Sequence, residues 1–461
     1  RLKQKIAKGQ WKPVGLDNIV EPQDGLDVVS TIDINIQDIA HHELLAQLEK
    51  YKADHGCVVV METETGEVKA ISNLGRTSEG KYYEKLNYAV GESHEPGSTF
   101  KLMSLVAALE DQVVDTSSVI DTEKGRYRIY DRVVKDSKWG GYGKISVSEA
   151  FAVSSNTAFA KMIHENYKET PGKFVNRLMN MGLHKKLDLP IIGEGNPVIR
   201  YPGDEGWSGI SLGWMSHGYE VSLTPMQTLA FYNAIANNGE LVKPRLIKEV
   251  REGNRIVKRF DKQVSIPSIC SEETVRKVKR LMKEVVEREY GTGHKLYSKN
   301  FSMAGKTGTT QKNYVAKDPD KLGYISSFAG YFPADNPKYS CIVVIHEPDK
   351  SVGYYGADVS GPVFKSLAQK IYATSPVTDE VEGKIFNGEV LDEKYRQYYA
   401  QIQKEYNKVP NVKGMCGMDA VSLLENMGLE VEVRGNGKVQ KQSVNQGTDI
   451  NQVTKIVLEL S

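Results

Sequence analysis

Ser98 and Lys101 have the residue types and the spacing of a nucleophile and its base. Pro96 and Gly97 interrupt the chain just before Ser98, and the apolar run at 102–109 predicts a buried helix. Residues three apart share a helix face, so we expect Lys101 to point at the Ser98 oxygen. Burial near the positive end of a helix lowers the pKa of a lysine, and the Ser98 backbone N–H can bind an oxyanion. This arrangement suits acyl transfer by serine with a lysine base.

The tetrapeptide that contains Ser98 is not specific by itself. Ser78 and Lys81 repeat its spacing, but they lie in a polar, glycine-containing loop with no helix after it. Taken alone, the tetrapeptide favours a helix N-cap at Ser98 that precedes a solvated Lys101. Other residues must therefore support the assignment.

Ser154 and Asn156 form a second polar group, set between two short apolar stretches. Polar side chains in apolar surroundings indicate a buried site whose hydrogen bonds must be satisfied. Ser154 can relay a proton, and Asn156 can hydrogen-bond a substrate amide. The S-x-N spacing alone also fits a loop or a cap, and it recurs at 298–300 and 443–445.

Lys306, Thr307, Gly308 and Thr309 form the third group, and their K-T-G sequence occurs once in the chain. On a strand, Lys306 and Thr307 point to opposite faces, and Gly308 lets a ligand backbone approach closely. The lysine and the threonine hydroxyls suit a carboxylate, and the Thr309 N–H can be a second oxyanion donor. The alternative is an edge strand protected by lysine and glycine.

The elements around these groups predict a sheet that is built from both ends of the chain. Apolar residues at i+3/i+4 spacing predict a helix over 36–48. Thr224, Pro225 and the Asn-Asn-Gly sequence at 237–239 mark the start and the end of another helix, in a mostly helical region. The predicted strands are 55–61, 67–72, 302–310, 324–332 and 339–346. One α+β domain is expected from this order.

Composition excludes few classes. The 461 residues have a net charge of +1, which gives no sign of broad attraction to nucleic acid. The four cysteines are dispersed, and Cys57 and Cys341 lie in apolar runs where buried free thiols are expected. No apolar run reaches the roughly 20 residues of a membrane helix. Because the chain begins at Arg1 in a polar, basic segment, we expect a trimmed or processed piece of a longer protein.

The three groups occur in the order S-x-x-K, S-x-N, K-T-G, and this order resembles the class B, monofunctional penicillin-binding proteins. The resemblance extends over about residues 15–370, and the terminal segment with Val409-Pro410-Asn411-Val412-Lys413-Gly414 resembles a single PASTA domain. It implies the penicillin-binding, serine transpeptidase fold. That fold has a mainly antiparallel five-stranded sheet flanked by helices, a helical subdomain, and here a small α/β PASTA-like domain.

The resemblance also implies an activity and roles for the residues that match. A D,D-transpeptidase would use Ser98 to attack a D-Ala-D-Ala stem peptide and would pass the acyl group to an amine on a neighbouring peptide. Lys101 would be the base, and Ser154 and Lys306 would share proton transfer to the leaving amine. β-Lactams would acylate Ser98, and no metal or cofactor would be required.

Substrate contacts follow from the same resemblance. Lys306, Thr307 and Thr309 would hold the terminal carboxylate beside Gly308, and Asn156 would bind the acyl side. The expected domains are a linker or pedestal remnant at 1–30, a transpeptidase domain at 31–373, a linker with a polar helix at 374–407, and a PASTA-like domain at 408–461.

The implied setting is the extracytoplasmic, periplasmic side of a bacterial inner membrane, reached through an anchor that this chain lacks. The PASTA-like segment favours a division-type member, with cell-division proteins as further partners. Muropeptide binding and a packing or docking role for that segment both stay open.

Three alternatives remain at this point. A serine β-lactamase needs a hydrolytic base, and no E-x-x-L-N sequence lies between Asn156 and Lys306. A D,D-carboxypeptidase differs only in its use of water as the acceptor. A non-catalytic β-lactam sensor or wall-binding scaffold is disfavoured because the set of reactive residues is intact.

Overall fold

The computed structural model describes residues 3–5, 11–13, 25–299, 301–313, 322–374, 407–435 and 437–461. The chain divides into two compact units, residues 1–376 and residues 377–461. The domain boundaries at 373/374 and 407/408 stay predictions. Nearly all of the polar helix predicted near 392–407 lies outside the described residues.

Helices make up much of the first unit. In the described part of the chain they are α1 (Ile34–Tyr51), α2 (Tyr88–Gly91), α3 (Lys101–Glu110), α4 (Val147–Ala152), α5 (Asn156–Tyr167), α6 (Pro171–Asn180), α7 (Ser211–Met215), α8 (Pro225–Ala236), α9 (Glu272–Glu287), α10 (Gly356–Val359), α11 (Gly361–Thr374) and, in the second unit, α12 (Gly417–Asn426). Short 3-10 turns occur at Gly97–Phe100, Glu123–Gly125, His294–Leu296 and Ile450–Gln452.

The described strands are mostly short, apart from those of the central sheet. They are β1 (Lys3–Lys5), β2 (Trp11–Pro13), β3 (Asp27–Ser30), β4 (His55–Glu62), β5 (Val68–Arg76), β6 (Tyr82–Tyr83), β7 (Val119–Asp121), β8 (Arg126–Ile129), β9 (Arg132–Lys135), β10 (Lys144–Ser146), β11 (Val198–Ile199), β12 (Val221–Ser222), β13 (Leu241–Val242), β14 (Ile247–Glu252), β15 (Arg255–Arg259), β16 (Val264–Ile266), β17 (Ala304–Lys312), β18 (Gly323–Phe332), β19 (Tyr339–His346), β20 (Glu430–Arg434), β21 (Val439–Gln442) and β22 (Lys455–Leu460).

A six-stranded antiparallel sheet forms the centre of the first unit, in the order β17-β18-β19-β4-β5-β6. Strands from both ends of the unit meet in it, since β4 pairs with β19 and His55 lies opposite His346. The predicted assembly of the sheet is confirmed, but the sheet has six strands rather than five. The sixth, β6, has two residues, too few for an alternating pattern to reveal it.

Alternate residues of β4 enter two separate hydrophobic cores, because successive side chains of a strand point to opposite faces. Cys57, Val59 and Met61 join the core formed with α3, α8 and α9. Val58 and Val60 join the core formed with α1 and α11. Helices therefore cover the sheet on both faces, and the α+β class is confirmed.

Both predicted helices begin with a side-chain cap. Asp33 caps α1 by accepting hydrogen bonds from the backbone N–H groups of Asn35 and Ile36. Thr224 and Gln227 form a capping box at the start of α8, with Pro225 in the first turn. Every residue of α8 is buried, as expected for a helix that is apolar all round.

Some described residues depart from the expected plan. β3 lies within the predicted linker at 1–30, yet it pairs with β14 in a three-stranded sheet. The second strand of the early hairpin runs to Arg76 instead of ending at residue 72. Cys57 and Cys341 are buried free thiols, as predicted. Each helix of the described part is too short or too polar to span a bilayer.

The second unit has its own small core. The strand order is β20-β22-β21, with β20 parallel and β21 antiparallel to β22. Val412, Leu424, Ile456 and Leu458 are buried in that core beside α12. The sequence pattern predicts a helix at 418–427 and strands at 429–433, 438–444 and 455–460, and the structure confirms each to within a few residues.

Candidate active site

Ser98 lies where the chain turns into α3. The 3-10 turn Gly97–Phe100 leads directly into α3, so the predicted helix start is confirmed with a tighter first turn. Ser98 is half-buried, whereas Thr99 and Phe100, the next two residues of the turn, are buried. Ser78 and Lys81 are both exposed in their loop, which agrees with the interpretation that this second S-x-x-K sequence is not catalytic.

The turn before Ser98 depends on glycine. Gly97 has φ +55°, and a Cβ at this position would lie 2.1 Å from Thr310 Oγ1 on β17. Its N–H donates to the Gly218 carbonyl at 3.1 Å. Gly97 therefore sets the close packing of the Ser98 turn on the strand that carries the K-T-G sequence.

Replacing Gly97 with alanine is expected to destabilise the first unit. Positive φ costs about 1–2 kcal/mol for a residue with a side chain, and the clash with Thr310 adds to it, for a total of roughly 2–3 kcal/mol. Gly253→Ala is the matched control, since Gly253 has φ +57° but open space around its Cβ position. Urea unfolding followed by tryptophan fluorescence measures both, because all four tryptophans precede residue 215. Equal losses of unfolding free energy in the two variants would contradict the expected clash with Thr310.

Lys101 is completely buried, and its Nζ contacts the second motif. It donates to Ser154 O at 2.6 Å, to Ser154 Oγ at 3.1 Å and to Asn156 Oδ1 at 2.7 Å. These are its hydrogen bonds among the described residues, so the expected direct contact with the Ser98 oxygen is replaced by a contact with Ser154. Burial lowers the pKa of Lys101 to about 7, and the charge of Asp136 opposes that shift. A lysine with this pKa is available as a base near neutral pH.

Ser154 occupies a turn between α4 and α5 in an unusual backbone conformation. Its φ is +58°, which is unfavourable for a residue other than glycine. The next residue, Ser155, caps α5 by accepting from the Ala158 N–H at 3.0 Å. The turn presents both the carbonyl and the hydroxyl of Ser154 to Lys101. Such backbone strain is typical of functional positions.

Asp136 holds the same turn and was not predicted from the sequence. It accepts from Ser155 Oγ at 3.0 and 3.1 Å, from the Thr157 N–H at 3.0 Å and from Thr157 Oγ1 at 2.6 Å. The amide of Asn156 donates to Lys135 O at 3.1 Å, on the neighbouring strand. Asp136 follows β9 in a polar stretch, so only the fold reveals its role.

Lys306 lies on β17 with its side chain buried against Phe151, 5.7 Å from the ring centroid. Its Nζ donates to Thr307 O at 3.2 Å. Burial, and next the charge of Lys101, hold the pKa of Lys306 well below its ordinary value. Lys101 Nζ lies 5.6 Å from the ring centroid of Phe159, which is 6.3 Å from that of Phe151, so the two amines contact the same aromatic pair.

Gly308 has a packing role in addition to the ligand approach that the sequence predicts. A Cβ there would lie 2.1 Å from Ser327 Oγ and 3.0 Å from Thr99 Cγ2, which are atoms of the protein itself. Glycine is therefore required where the Ser98 turn packs on β17. On the other face, Thr307 Oγ1 donates to Thr292 Oγ1 at 2.8 Å, and Thr309 Oγ1 accepts from the Gly356 N–H at 3.0 Å.

The segment after α7 closes another side of the site and carries no motif. Gly218 has φ +87°, and a Cβ there would overlap the Gly97 carbonyl. His217 is buried with Nδ1 2.9 Å from Gly213 O, and burial, followed by the charge of Lys101, lowers its pKa to about 3. The Tyr219 hydroxyl accepts from the Gln311 N–H on β17 at 3.1 Å. In the sequence, the signal that could have indicated this contact is Gly218, which lies between two apolar helical segments.

The three predicted motifs thus converge. Lys101 contacts Ser154 and Asn156 directly, Lys306 lies against the aromatic pair that Lys101 also contacts, and the Ser98 turn packs on β17. The structure provides a serine at a helix start, a buried lysine with a lowered pKa and a second buried amine. Acyl transfer through serine is the chemistry that this arrangement suits.

Comparison with known proteins gives two family matches. The family described as penicillin binding protein transpeptidase domain matches residues 56–369. The PASTA domain family matches residues 407–461.

Curated relatives carry related names. Stage V sporulation protein D of Bacillus subtilis is 29% identical over 99% of this chain and 68% of its own length. Peptidoglycan D,D-transpeptidase FtsI of Escherichia coli K12 is 31% identical over 75% of this chain and 55% of its own length. The chain therefore spans about two thirds of the first relative and about half of the second.

Solved structures agree with the fold. The apo transpeptidase domain of penicillin-binding protein 3 from Burkholderia pseudomallei has a TM-score of 0.64 and 27% identity, covering 76% of this chain and 96% of that one. Penicillin-binding protein 3 from Mycobacterium tuberculosis, complexed with aztreonam, has a TM-score of 0.67 and 25% identity, covering 78% and 82%. The chain belongs to the penicillin-binding protein transpeptidase family and carries a PASTA domain.

Proposed function

We propose that this chain is a serine-type peptidoglycan D,D-transpeptidase that cross-links stem peptides through an acyl-enzyme on Ser98. The observation that carries the proposal is the buried Lys101, which is held by Ser154 and Asn156 and has a pKa of about 7. About half of such lysines are neutral at pH 7 and can accept a proton. Relatives named peptidoglycan D,D-transpeptidase support the substrate class.

Acylation begins when Ser98 Oγ attacks the penultimate D-Ala carbonyl of a stem peptide that ends in D-Ala-D-Ala. The Ser98 proton moves to Lys101, and Ser154 is placed to relay it because its Oγ lies 3.1 Å from Nζ. The backbone N–H groups of Ser98 and Thr309 bind the oxyanion. The C–N bond then breaks, and the terminal D-Ala leaves with a proton supplied through Ser154 or Lys306.

Deacylation reverses these proton movements. The amine of a neighbouring stem peptide attacks the Ser98 ester and loses a proton toward Lys101. The C–O bond to Ser98 breaks, and Ser98 Oγ recovers its proton. An amide cross-link forms, and the free serine is restored without a cofactor.

The terminal carboxylate of the donor peptide binds at β17. Lys306, Thr307 and Thr309 hold it, and Asn156 binds the acyl side. Lys306 supports this role because its buried amine has a depressed pKa and gains an opposite charge when a carboxylate arrives. Substrate binding therefore favours the charged form of Lys306.

A stem-peptide assay tests the proposal against its alternatives. The full chain is incubated with a D-Ala-D-Ala pentapeptide and an amine acceptor such as D-amino acid amide, and products are followed by mass spectrometry. A product in which the acceptor replaces the terminal D-Ala supports transpeptidation. Release of D-Ala with only the hydrolysed peptide identifies a carboxypeptidase. If neither product forms, the chain is a sensor or a scaffold.

The process served by this activity is septal wall synthesis in cell division, on the extracytoplasmic side of the inner membrane. The FtsI relatives support that setting, and cell-division proteins are the expected further partners. Wall synthesis in sporulation is the second candidate, because the relative that aligns with 99% of the chain is a sporulation protein. The membrane-anchored protein is expressed in a strain that lacks its cell-division transpeptidase and in a strain that lacks its sporulation transpeptidase. The strain that is rescued identifies the process.

The rate of acylation by benzylpenicillin is expected to rise with pH through about 7, where Lys101 loses its proton. Because only the neutral amine can accept the Ser98 proton, the rate at pH 6 should be about a tenth of its plateau above pH 8. Stopped-flow or quenched measurements from pH 6 to 9 give the profile.

Asp136→Asn provides the internal check of this profile. Its charge raises the pKa of Lys101, so its removal should move the rise to lower pH. The same profile in both proteins would show that another group controls the rate, and a flat wild-type profile would exclude Lys101 as the base.

A further inference from the structure

A cluster of two histidines and a glutamate lies at one end of the central sheet, outside the motifs described above. His55 is the first residue of β4 and His346 is the last of β19, and the two are paired in register. Their rings stack with centroids 4.1 Å apart. Glu92 follows α2 and reaches both, with Oε2 2.7 Å from His55 Nε2 and Oε1 3.7 Å from His346 Nδ1.

The donor atoms of this cluster suit a transition-metal ion. One atom from each of His55, Glu92 and His346 lies within 4.8 Å of the other two. Two imidazole nitrogens and one carboxylate oxygen are a known ligand set for zinc, with bonds of about 2.0–2.2 Å. Tetrahedral ligand atoms lie about 3.3 Å apart, so binding requires these atoms to approach one another and the stacked rings of His55 and His346 to turn until both lone pairs point at the ion.

Asp54 supplies the outer partner that metal-binding histidines use. Its Oδ2 lies 2.7 Å from His55 Nδ1. A carboxylate at Nδ1 fixes the tautomer and turns the Nε2 lone pair outward, here toward Glu92. The His55 ring is thereby held in the orientation that a metal ligand needs.

His346 provides a second observation, independent of the ligand distances, that points to a bound ion. Its side chain is 3% exposed, and its Nδ1 is buried without a hydrogen-bond partner among the described residues. This orphan nitrogen is the same atom that faces Glu92. A charged His55 between Asp54 and Glu92 would explain the contacts of His55, but it would leave His346 Nδ1 unpartnered. A metal ion satisfies all three groups at once.

We propose that His55, Glu92 and His346 bind one divalent transition-metal ion, with Zn²⁺ the best match to the ligands. Water or His94 fills the fourth position. His94 Nδ1 is likewise buried without a partner in the described part of the chain, and the His94 ring lies 5.1 Å from that of His346. Glu92 is six residues before Ser98. The ion therefore fixes the segment that leads to the nucleophile onto the end of the sheet, and it takes no part in acyl transfer.

Metal titration of the untagged full chain tests this site. The protein is stripped with a chelator, desalted and titrated with Zn²⁺ against a chromophoric competitor, and Co²⁺ absorption reports the coordination geometry. We expect one equivalent per chain and a rise in the thermal unfolding midpoint that a chelator reverses. Glu92→Gln and His55→Gln should each remove the binding, and Asp54→Asn should weaken it by about 10–100-fold.

Two variants serve as matched controls. His184→Gln removes an exposed histidine elsewhere, and Cys416→Ser removes the exposed thiol. Both should keep the full equivalent. Wild-type protein that takes up no Zn²⁺, or an equivalent that survives Glu92→Gln and His55→Gln, would overturn the proposal. If those variants do not fold, a wild-type unfolding midpoint that Zn²⁺ leaves unchanged would overturn it as well.

Discussion

The Ser98→Ala variant is expected to form no covalent adduct with benzylpenicillin, whereas Ser78→Ala should form it as fully as the wild-type chain. Ser98 opens α3 beside the buried Lys101, while Ser78 and Lys81 are exposed in a loop. Loss of the nucleophile of a serine hydrolase lowers the rate by roughly 10⁶-fold, which means no adduct within hours. Intact-mass spectra of the three proteins provide the measurement.

The lifetime of the wild-type adduct also distinguishes a transpeptidase from a serine β-lactamase. A β-lactam that opens on Ser98 adds its whole mass, because ring opening releases no fragment. A stable adduct agrees with a transpeptidase, and an adduct that disappears within seconds indicates a β-lactamase. An adduct that persists in Ser98→Ala would place the nucleophile elsewhere. Equal unfolding midpoints for wild type and Ser98→Ala are needed to exclude misfolding as the cause.

The sequence predicted most of the fold because its signals are local. The helix start at Thr224 and Pro225, the apolar run of β4 and the single K-T-G sequence each act within a few residues. The order of the three motifs then indicated which distant residues should meet. The contact of Lys101 with Asn156 confirms that part of the inference.

The remaining features depend on contacts between distant parts of the chain. Asp136 acquires its role only because β9 lies beside the turn at Ser154 and Ser155. Gly308 is required by Ser327 on the neighbouring strand, which the sequence around it cannot show. His55 and His346 meet only through the register of β4 and β19. Local patterns carry no information about such pairings.

Replacement of Lys101 by methionine tests the proposed base directly. Lys101→Met keeps a long side chain in the buried position but removes the base. Acylation by benzylpenicillin should fall by about 10²–10⁴-fold, the usual contribution of a general base. Rates from intact-mass time courses measure it, and a rate within threefold of the wild type would contradict the assignment.

The stability of the same variant should depend on pH in a defined direction. Burial lowers the pKa of Lys101 from 10.5 to about 7, so the unfolded chain binds more protons than the folded chain between these values. The buried lysine therefore lowers the free energy of unfolding below pH 7, and this cost declines as pH rises from about 7 to 10.

The Lys101→Met variant removes this cost but leaves Ser154 O and Asn156 Oδ1 without their donor. Relative to the wild type, the variant should be most stable near pH 7 and lose that advantage toward pH 10, as measured by urea unfolding with tryptophan fluorescence. A stability difference that stays constant across this range would show that Lys101 keeps an ordinary pKa in the folded protein.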